Sequence, residues 1–156
     1  METKMKAINT ILLAVDFSDS SQHACEHALM LAKKFDSKLI VLHVINEPVD
    51  LRGFYVPHIS FDRLEQEIEE GARKMMEKFA ATALGDYQNF ETCITSGIPY
   101  DEILKKAESD SVDLIVLGTH GRSGIDHFLF GSTAERVVRT ASCPVLTVRL
   151  PCRYLT

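Results

Sequence analysis

The chain lacks three features that would place it outside the class of ordinary intracellular proteins. A bilayer span needs about 20 consecutive apolar residues, and no apolar run in the 156 residues approaches that length. The first ten residues, METKMKAINT, lack the apolar core of a signal peptide. Basic residues are not in excess, since the net charge is −5 and the pI about 5.7, which argues against a nucleic-acid surface. We therefore expect a cytoplasmic protein that binds neither membrane nor nucleic acid.

Paired cysteines of the CxxC type are also absent. The four cysteines are scattered, and in a reducing compartment we expect free thiols rather than disulfides or a zinc site. They are Cys25, Cys93, Cys143 and Cys152. His23 and His27 lie four residues apart, a spacing found in metal sites, but no third ligand is near them in sequence. We expect no metal site formed by the protein alone.

What is present is a regular alternation of strand and helix patterns. Short apolar runs predict strands over residues 8–15, 38–45, 90–95, 113–117 and 144–148. Apolar spacings of three and four predict helices between them, near residues 18–35, 61–83, 99–107 and 132–141. The alternation predicts one α/β domain over residues 1–156, with an open parallel sheet and helices on both faces. Its core would span about residues 8–148, and residues 151–156 would form a loose tail.

The second helix carries the longest apolar stripe and ends before a stop signal at Gly85. The stripe predicts a long amphipathic helix, with Met75 in the core and Met76 on the helix flank. The stripe consists of Phe61, Leu64, Ile68, Ala72, Met75, Phe79 and Ala83.

A glycine-rich loop follows the fourth predicted strand, and Ser132 then opens a helix. Glycine has no Cβ, so such a loop can present backbone N–H groups to a ligand. A strand, this loop and a helix N-terminus together predict an anion site. Ligands of open α/β sheets bind beyond the carboxyl ends of the strands, which is also where Asp16 falls. The loop contains half of the eight glycines, Gly118, Gly121, Gly124 and Gly131.

These segments resemble the universal stress protein family in its nucleotide-binding branch. The motif is Gly118-x-x-Gly121, nine further residues, and then Gly131-Ser132. The stretches ILLAVDFS at 11–18, LHVI at 42–45 and SCPVLTV at 142–148 resemble the family's first, second and last strands. The resemblance implies a Rossmann-like five-stranded sheet of order 3-2-1-4-5, in which the first and fourth strands are neighbours.

The resemblance also implies an adenine-nucleotide site for ATP, with or without Mg²⁺. Asp16 and the backbone of Val44 would meet the adenosine end, and Ala14 and Leu117 would line the pocket. Ala14 is a departure, because some ATP-binding relatives carry proline there. The ribose and phosphates would be held by Gly118, Gly121, Gly131, Ser132 and Thr133.

Several of these residues have a second interpretation. Ser132 with Glu135 fits a capping box, so Ser132 could cap a helix. Asp16 could cap the first helix. A carboxylate repels phosphate, so as a ligand-binding residue Asp16 would meet a sugar, a base or a bound Mg²⁺. His120 and Arg122 could reach a phosphate or be solvated loop residues.

The leading functional hypothesis is an ATP-binding regulatory protein of the stress response. The Walker sequence GxxxxGK[ST] is absent, and no arginine finger is evident, so slow or no hydrolysis is expected. One alternative is a dimeric interaction module whose glycine loop is only a turn. Another is a true hydrolase or phosphotransferase, for which His120 is the candidate base.

The last predicted strand, Pro144–Val148, suggests a homodimer. Pro144 cannot donate a ladder hydrogen bond, which places this strand at a sheet edge. An exposed apolar edge needs a cover, and the resemblance implies pairing with the same strand of a second copy. The alternative cover is the chain's own tail over residues 151–156.

Overall fold

The computed structural model describes residues 7–46, 61–120 and 130–151. Strands and helices alternate along these ranges, as the sequence predicts. In chain order they are β1 (Thr10–Ala14), α1 (Asp19–Phe35), β2 (Lys38–Asn46), α2 (Phe61–Ala83), β3 (Phe90–Gly97), α3 (Pro99–Ser109), β4 (Leu114–Gly118), α4 (Ser132–Thr140) and β5 (Val145–Val148).

The five strands form one parallel sheet in the order β3-β2-β1-β4-β5. At the centre, Leu12 of β1 pairs with Ile40 of β2 on one side and Ile115 of β4 on the other. The predicted order and the adjacency of the first and fourth strands are therefore confirmed. Because the order reverses at β1, the carboxyl ends of β1 and β4 flank the place where such sheets bind ligands.

Both faces of the sheet are covered, which explains why the central strands are continuously apolar. Ile11 and Leu13 pack under α1 and α2, in a cluster that includes Ala28 and Phe79. Leu12 points to the other face and packs with Ile103 of α3 and Val137 of α4. Two apolar cores thus hold the sheet between two helical layers.

The helix boundaries have local causes in the sequence. Ser18 is the N-cap of α1, and its side chain accepts a hydrogen bond from the backbone N–H of Ser21. Pro99 lies in the first turn of α3. Gly85 follows α2 with a φ of 56°, a left-handed conformation that favours glycine. The stop signal predicted at Gly85 is confirmed.

The predicted placement of Met75 in the core and Met76 on the flank of α2 is wrong, because the structure reverses the two. Leu64, Ile68 and Met75 are 40%, 46% and 42% exposed, whereas Met76 is in the core at 2%. Helical periodicity defines a face but does not show how far the sheet extends beneath it. Here the core contacts are concentrated at Ala72, Met76 and Phe79, and Ile68 and Met75 instead line a cavity.

The thiols of Cys25, Cys93 and Cys143 are not in disulfides, as predicted; Cys152 lies outside the described residues. Burial, with a smaller contribution from Glu26, raises the pKa of the Cys25 thiol to about 11. Cys25 is therefore protonated near neutral pH and acts as a core residue. No helix in the described ranges combines the length and apolar character needed to cross a membrane.

Candidate functional site

A cavity of about 680 Å³ lies at the carboxyl ends of β1, β2 and β4. Its volume is within the usual range for small-molecule sites. The strand ends form its floor, the N-terminus of α4 one wall, and α2 with the start of α3 the rest. The cavity therefore lies at the reversal of strand order.

The sequence-predicted site residues converge on this cavity. Gly121 and Arg122 lie outside the described residues, so their predicted roles stay predictions. All the other predicted residues line the cavity: Ala14, Asp16, Val44, Leu117, Gly118, His120, Gly131, Ser132 and Thr133.

The N-terminus of α4 opens into the cavity, and no side chain of the described residues caps it. The N-cap is Gly131, in extended backbone conformation, so the capping role considered for Ser132 is wrong. Ser132 is instead the first helical residue. Because the first N–H groups of a helix have no acceptor within it, this end presents donors and the positive end of the helix dipole to the cavity.

Gly131 is held tightly against the end of β4. Its N–H donates to the carbonyl oxygen of Thr119 at 2.6 Å. A Cβ at Gly131 would lie 3.2 Å from the same oxygen and 3.9 Å from the Cα of His120. The backbone conformation at Gly131, with φ −70°, suits any residue, so glycine is favoured here by space rather than by torsion angle.

Gly118, at the end of β4, packs on the first turn of α1. A Cβ at Gly118 would lie 2.3 Å from the Oγ of Ser20 and 3.1 Å from its backbone carbonyl carbon. Ser20 is 6% exposed, and its hydroxyl has no hydrogen-bond partner among the described residues. Because Gly118 has no Cβ, the end of β4 can lie close to the first turn of α1. This packing positions the part of the cavity floor that lies between Asp16 and α4.

Asp16 organises the start of α1 from outside the helix. Its Oδ1 accepts hydrogen bonds from the N–H of Ser18 at 3.0 Å, the Oγ of Ser18 at 2.5 Å and the Oγ of Ser21 at 2.6 Å. Ser18 is the N-cap, so Asp16 supports the cap without being it. The carboxylate also lines the cavity, so its structural role and a ligand role are compatible.

Phe17 and His43 line the cavity but were missed by sequence reasoning. Phe17 has a φ of 64°, which turns the chain sharply between β1 and α1. Its ring lies 4.5 Å from that of His43 and 5.9 Å from that of Phe79, measured between centroids. The Nδ1 of His43 lies 2.8 Å from the Val15 carbonyl oxygen. No local pattern signals these long-range contacts.

Besides His43, the described histidines lie in two different places. His120 lines the cavity, and its Nδ1 lies 2.9 Å from the Oγ1 of Thr119. His23 pairs with Glu26 at 3.1 Å, and the rings of His23 and His27 lie 4.9 Å apart. No group of three or more His, Cys, Asp or Glu side chains suited to a metal ion occurs in the part of the chain that the structure describes.

The fold and the cavity define a doubly wound α/β protein with a ligand-sized site at the point where the strand order reverses. Residues 7–149 match the sequence model of the universal stress protein family. The chain is also 35% identical over 143 residues to the universal stress protein MJ0531 of Methanocaldococcus jannaschii, covering 90% of this chain and 82% of that protein. It belongs to the universal stress protein family.

Solved structures agree with this assignment. The structure of MJ0577, a universal stress protein of Methanocaldococcus jannaschii, superposes with a TM-score of 0.81 at 29% identity and covers 94% of this chain and 99% of that one. A universal stress protein solved in complex with cAMP superposes with a TM-score of 0.63 at 26% identity, covering 92% and 98%.

Proposed function

We propose that this protein binds an adenine nucleotide, ATP, in the cavity and acts as a nucleotide-sensing regulator in the stress response. The observation that carries the proposal is the N-terminus of α4, which no described side chain caps and which opens into a cavity of about 680 Å³ at the strand-order reversal. The related protein in complex with cAMP supports an adenine nucleotide as the ligand class.

The phosphates would lie at the α4 end of the cavity. Backbone N–H groups at Ser132 and Thr133 offer donors there, and the helix dipole favours an anion. Gly118 and Gly131, which let β4 pack closely on α1 and on the start of α4, would bring their backbone close to the ribose and phosphates. His120 is a further candidate phosphate contact, as are Gly121 and Arg122, which lie outside the described residues.

The adenosine would lie toward β1 and β2. Ala14 and Leu117 provide apolar contact surface, and the backbone of Val44 offers hydrogen bonds to the base. Asp16, as an acceptor, suits a ribose hydroxyl or a base N–H rather than a phosphate. An accompanying Mg²⁺ would take most of its oxygen ligands from phosphates and water.

Slow or no hydrolysis is part of the proposal. The described wall of the cavity contains no lysine or arginine to neutralise charge during phosphoryl transfer. His120 is the candidate base, and its Nδ1 is already in contact with Thr119. The chemistry of the described wall therefore suits retention of the nucleotide better than rapid turnover.

Mass spectrometry of the denatured, purified protein tests the proposal. We expect a co-purified adenine nucleotide, and turnover of added ATP far below the typical enzyme median of about 10 per second. A preparation without nucleotide that also binds no added ATP in calorimetry would contradict the binding function. Rapid turnover lost on His120→Ala would instead establish an enzyme.

We also propose a homodimer formed through β5. The N–H of Ile115 donates to the Pro144 carbonyl at 3.0 Å, and that of Thr119 to the Val148 carbonyl at 3.1 Å. Since successive residues of a strand direct their main-chain groups to alternate sides, the N–H of Thr147 points to the open edge. Antiparallel pairing with β5 of a second copy would provide hydrogen-bond partners for the main-chain groups on that edge.

Thr147→Pro is expected to convert the dimer into a monomer. Proline removes the edge-facing N–H while the ladder to β4 stays intact. Light scattering at tens of micromolar measures the mass, and circular dichroism checks that the helices remain. Thr147→Val, which keeps the N–H, is the matched control and should stay dimeric. A wild-type protein that is already monomeric would refute the dimer.

A further inference from the structure

The wall of the cavity opposite α4 is formed by Ile68, Gly71, Ala72 and Met75, here called the α2 wall. α2 follows β2 and packs on β2 and β3. α4 follows β4, which lies on the other side of β1 in the sheet. The α2 wall therefore bounds the end of the cavity that is away from the α4 N-terminus.

Gly71 interrupts this wall in the interior of a helix of 23 residues. A glycine inside a helix lowers its stability relative to alanine. Glycine at such a position is usually explained by a close backbone contact, but a Cβ at Gly71 would meet no atom of the described residues within 4 Å. The described part of the chain therefore gives no packing reason for glycine, and the missing side chain leaves space at the edge of the cavity.

The side chains on either side of Gly71 leave apolar surface uncovered. Ile68 is 46% exposed and Met75 is 42% exposed, and both line the cavity. Aliphatic groups and a thioether make favourable contacts with a planar aromatic ring, and they offer no hydrogen bond to an anion. The α2 wall thus suits the base end of a nucleotide rather than its phosphates.

We propose that Gly71 is a size-determining residue of the site, and that its missing side chain leaves the space that the base of the bound nucleotide occupies. The inference rests on the proposed nucleotide-binding function and extends it to a residue on α2. The inference places the phosphates of the nucleotide at the α4 end of the cavity and its base at the α2 wall.

A size series at position 71 tests the inference by calorimetry with two ligands, ATP and inorganic tripolyphosphate, which has no base. Gly71→Ala is expected to raise the melting temperature and weaken ATP binding slightly. Gly71→Leu and Gly71→Phe should weaken ATP binding by roughly tenfold or more, because their side chains fill the space for the base. Tripolyphosphate affinity should stay that of the wild type throughout the series.

Glu77→Phe is the matched control, since Glu77 is exposed on the same helix and does not line the cavity; it should leave both affinities unchanged. Circular dichroism confirms folding, and Gly71→Leu serves if the phenylalanine variant does not fold. ATP binding at wild-type strength in both large variants overturns the inference about Gly71 and leaves the proposed function standing. An equal loss of tripolyphosphate binding also overturns it. A wild-type protein that binds no ATP overturns the proposed function and the inference with it.

Discussion

Gly131→Val is expected to lower ATP affinity by roughly a hundredfold, equivalent to about 2.7 kcal/mol. Even a Cβ at Gly131 would lie 3.2 Å from the Thr119 carbonyl oxygen. The added side chain would occupy the junction of β4 and α4, where we propose that the phosphates approach the backbone. Isothermal titration calorimetry measures the loss, and Gly131→Ala should give an intermediate value.

Thr140→Val is the matched control for this prediction. It places the same side chain on α4 at the opposite end, where Thr140 is exposed, so ATP affinity should not change. Thermal melts of both variants separate a loss of binding from a loss of folding. Binding of ATP by folded Gly131→Val as tightly as by the wild type would show that the phosphates do not lie at this end of the cavity.

Gly118→Ala is expected to destabilise the fold by about 1–3 kcal/mol, a typical cost of overpacking. The new Cβ would lie 2.3 Å from the buried Oγ of Ser20 and 3.1 Å from its carbonyl carbon, so the Ser20 side chain must rotate or the end of β4 and the first turn of α1 must separate. Ser20→Ala alone should raise the free energy of unfolding by about 1 kcal/mol, because it removes a buried hydroxyl that has no partner among the described residues.

The two substitutions should not be additive. Removing Oγ leaves only contacts of 3.1 Å with the backbone carbonyl carbon and Cβ of residue 20, so Gly118→Ala should cost less in the Ser20→Ala background. A double-mutant cycle in urea measures the coupling, expected at about 0.5–3 kcal/mol. Gly71→Ala with Ser20→Ala is the control cycle and should be additive. Additivity in the Gly118 cycle would show that the close contact with the Ser20 Oγ is not the reason why alanine destabilises the protein at position 118.

Much of the architecture was predictable because its causes are local. The apolar runs of β1, β2 and β4 predict strands buried on both faces, and the structure buries Ile11, Leu12 and Leu13 completely. The spacing in α2 predicts its bounds, Phe61 to Ala83, since a 3.6-residue repeat persists over its whole length. The glycines and the helix start at Ser132 predict an anion site, and the structure places Gly118, Gly131 and Ser132 on a cavity. The strand order came from family resemblance, because periodicity alone does not specify which strands are neighbours.

Only the tertiary structure determined the contacts between segments that are distant in sequence. Periodicity assigns Met75 to the core, but the position of α2 over the sheet buries Met76 and turns Met75 to the cavity. Nothing near Gly118 in sequence reveals that Ser20 lies against it, and nothing near Gly71 reveals that this part of α2 lines the cavity. The sequence by itself determined the elements and predicted the end of the cavity proposed to bind an anion, since both follow from local backbone chemistry. The shape of the other end depends on how helices pack over the sheet, which no local pattern encodes.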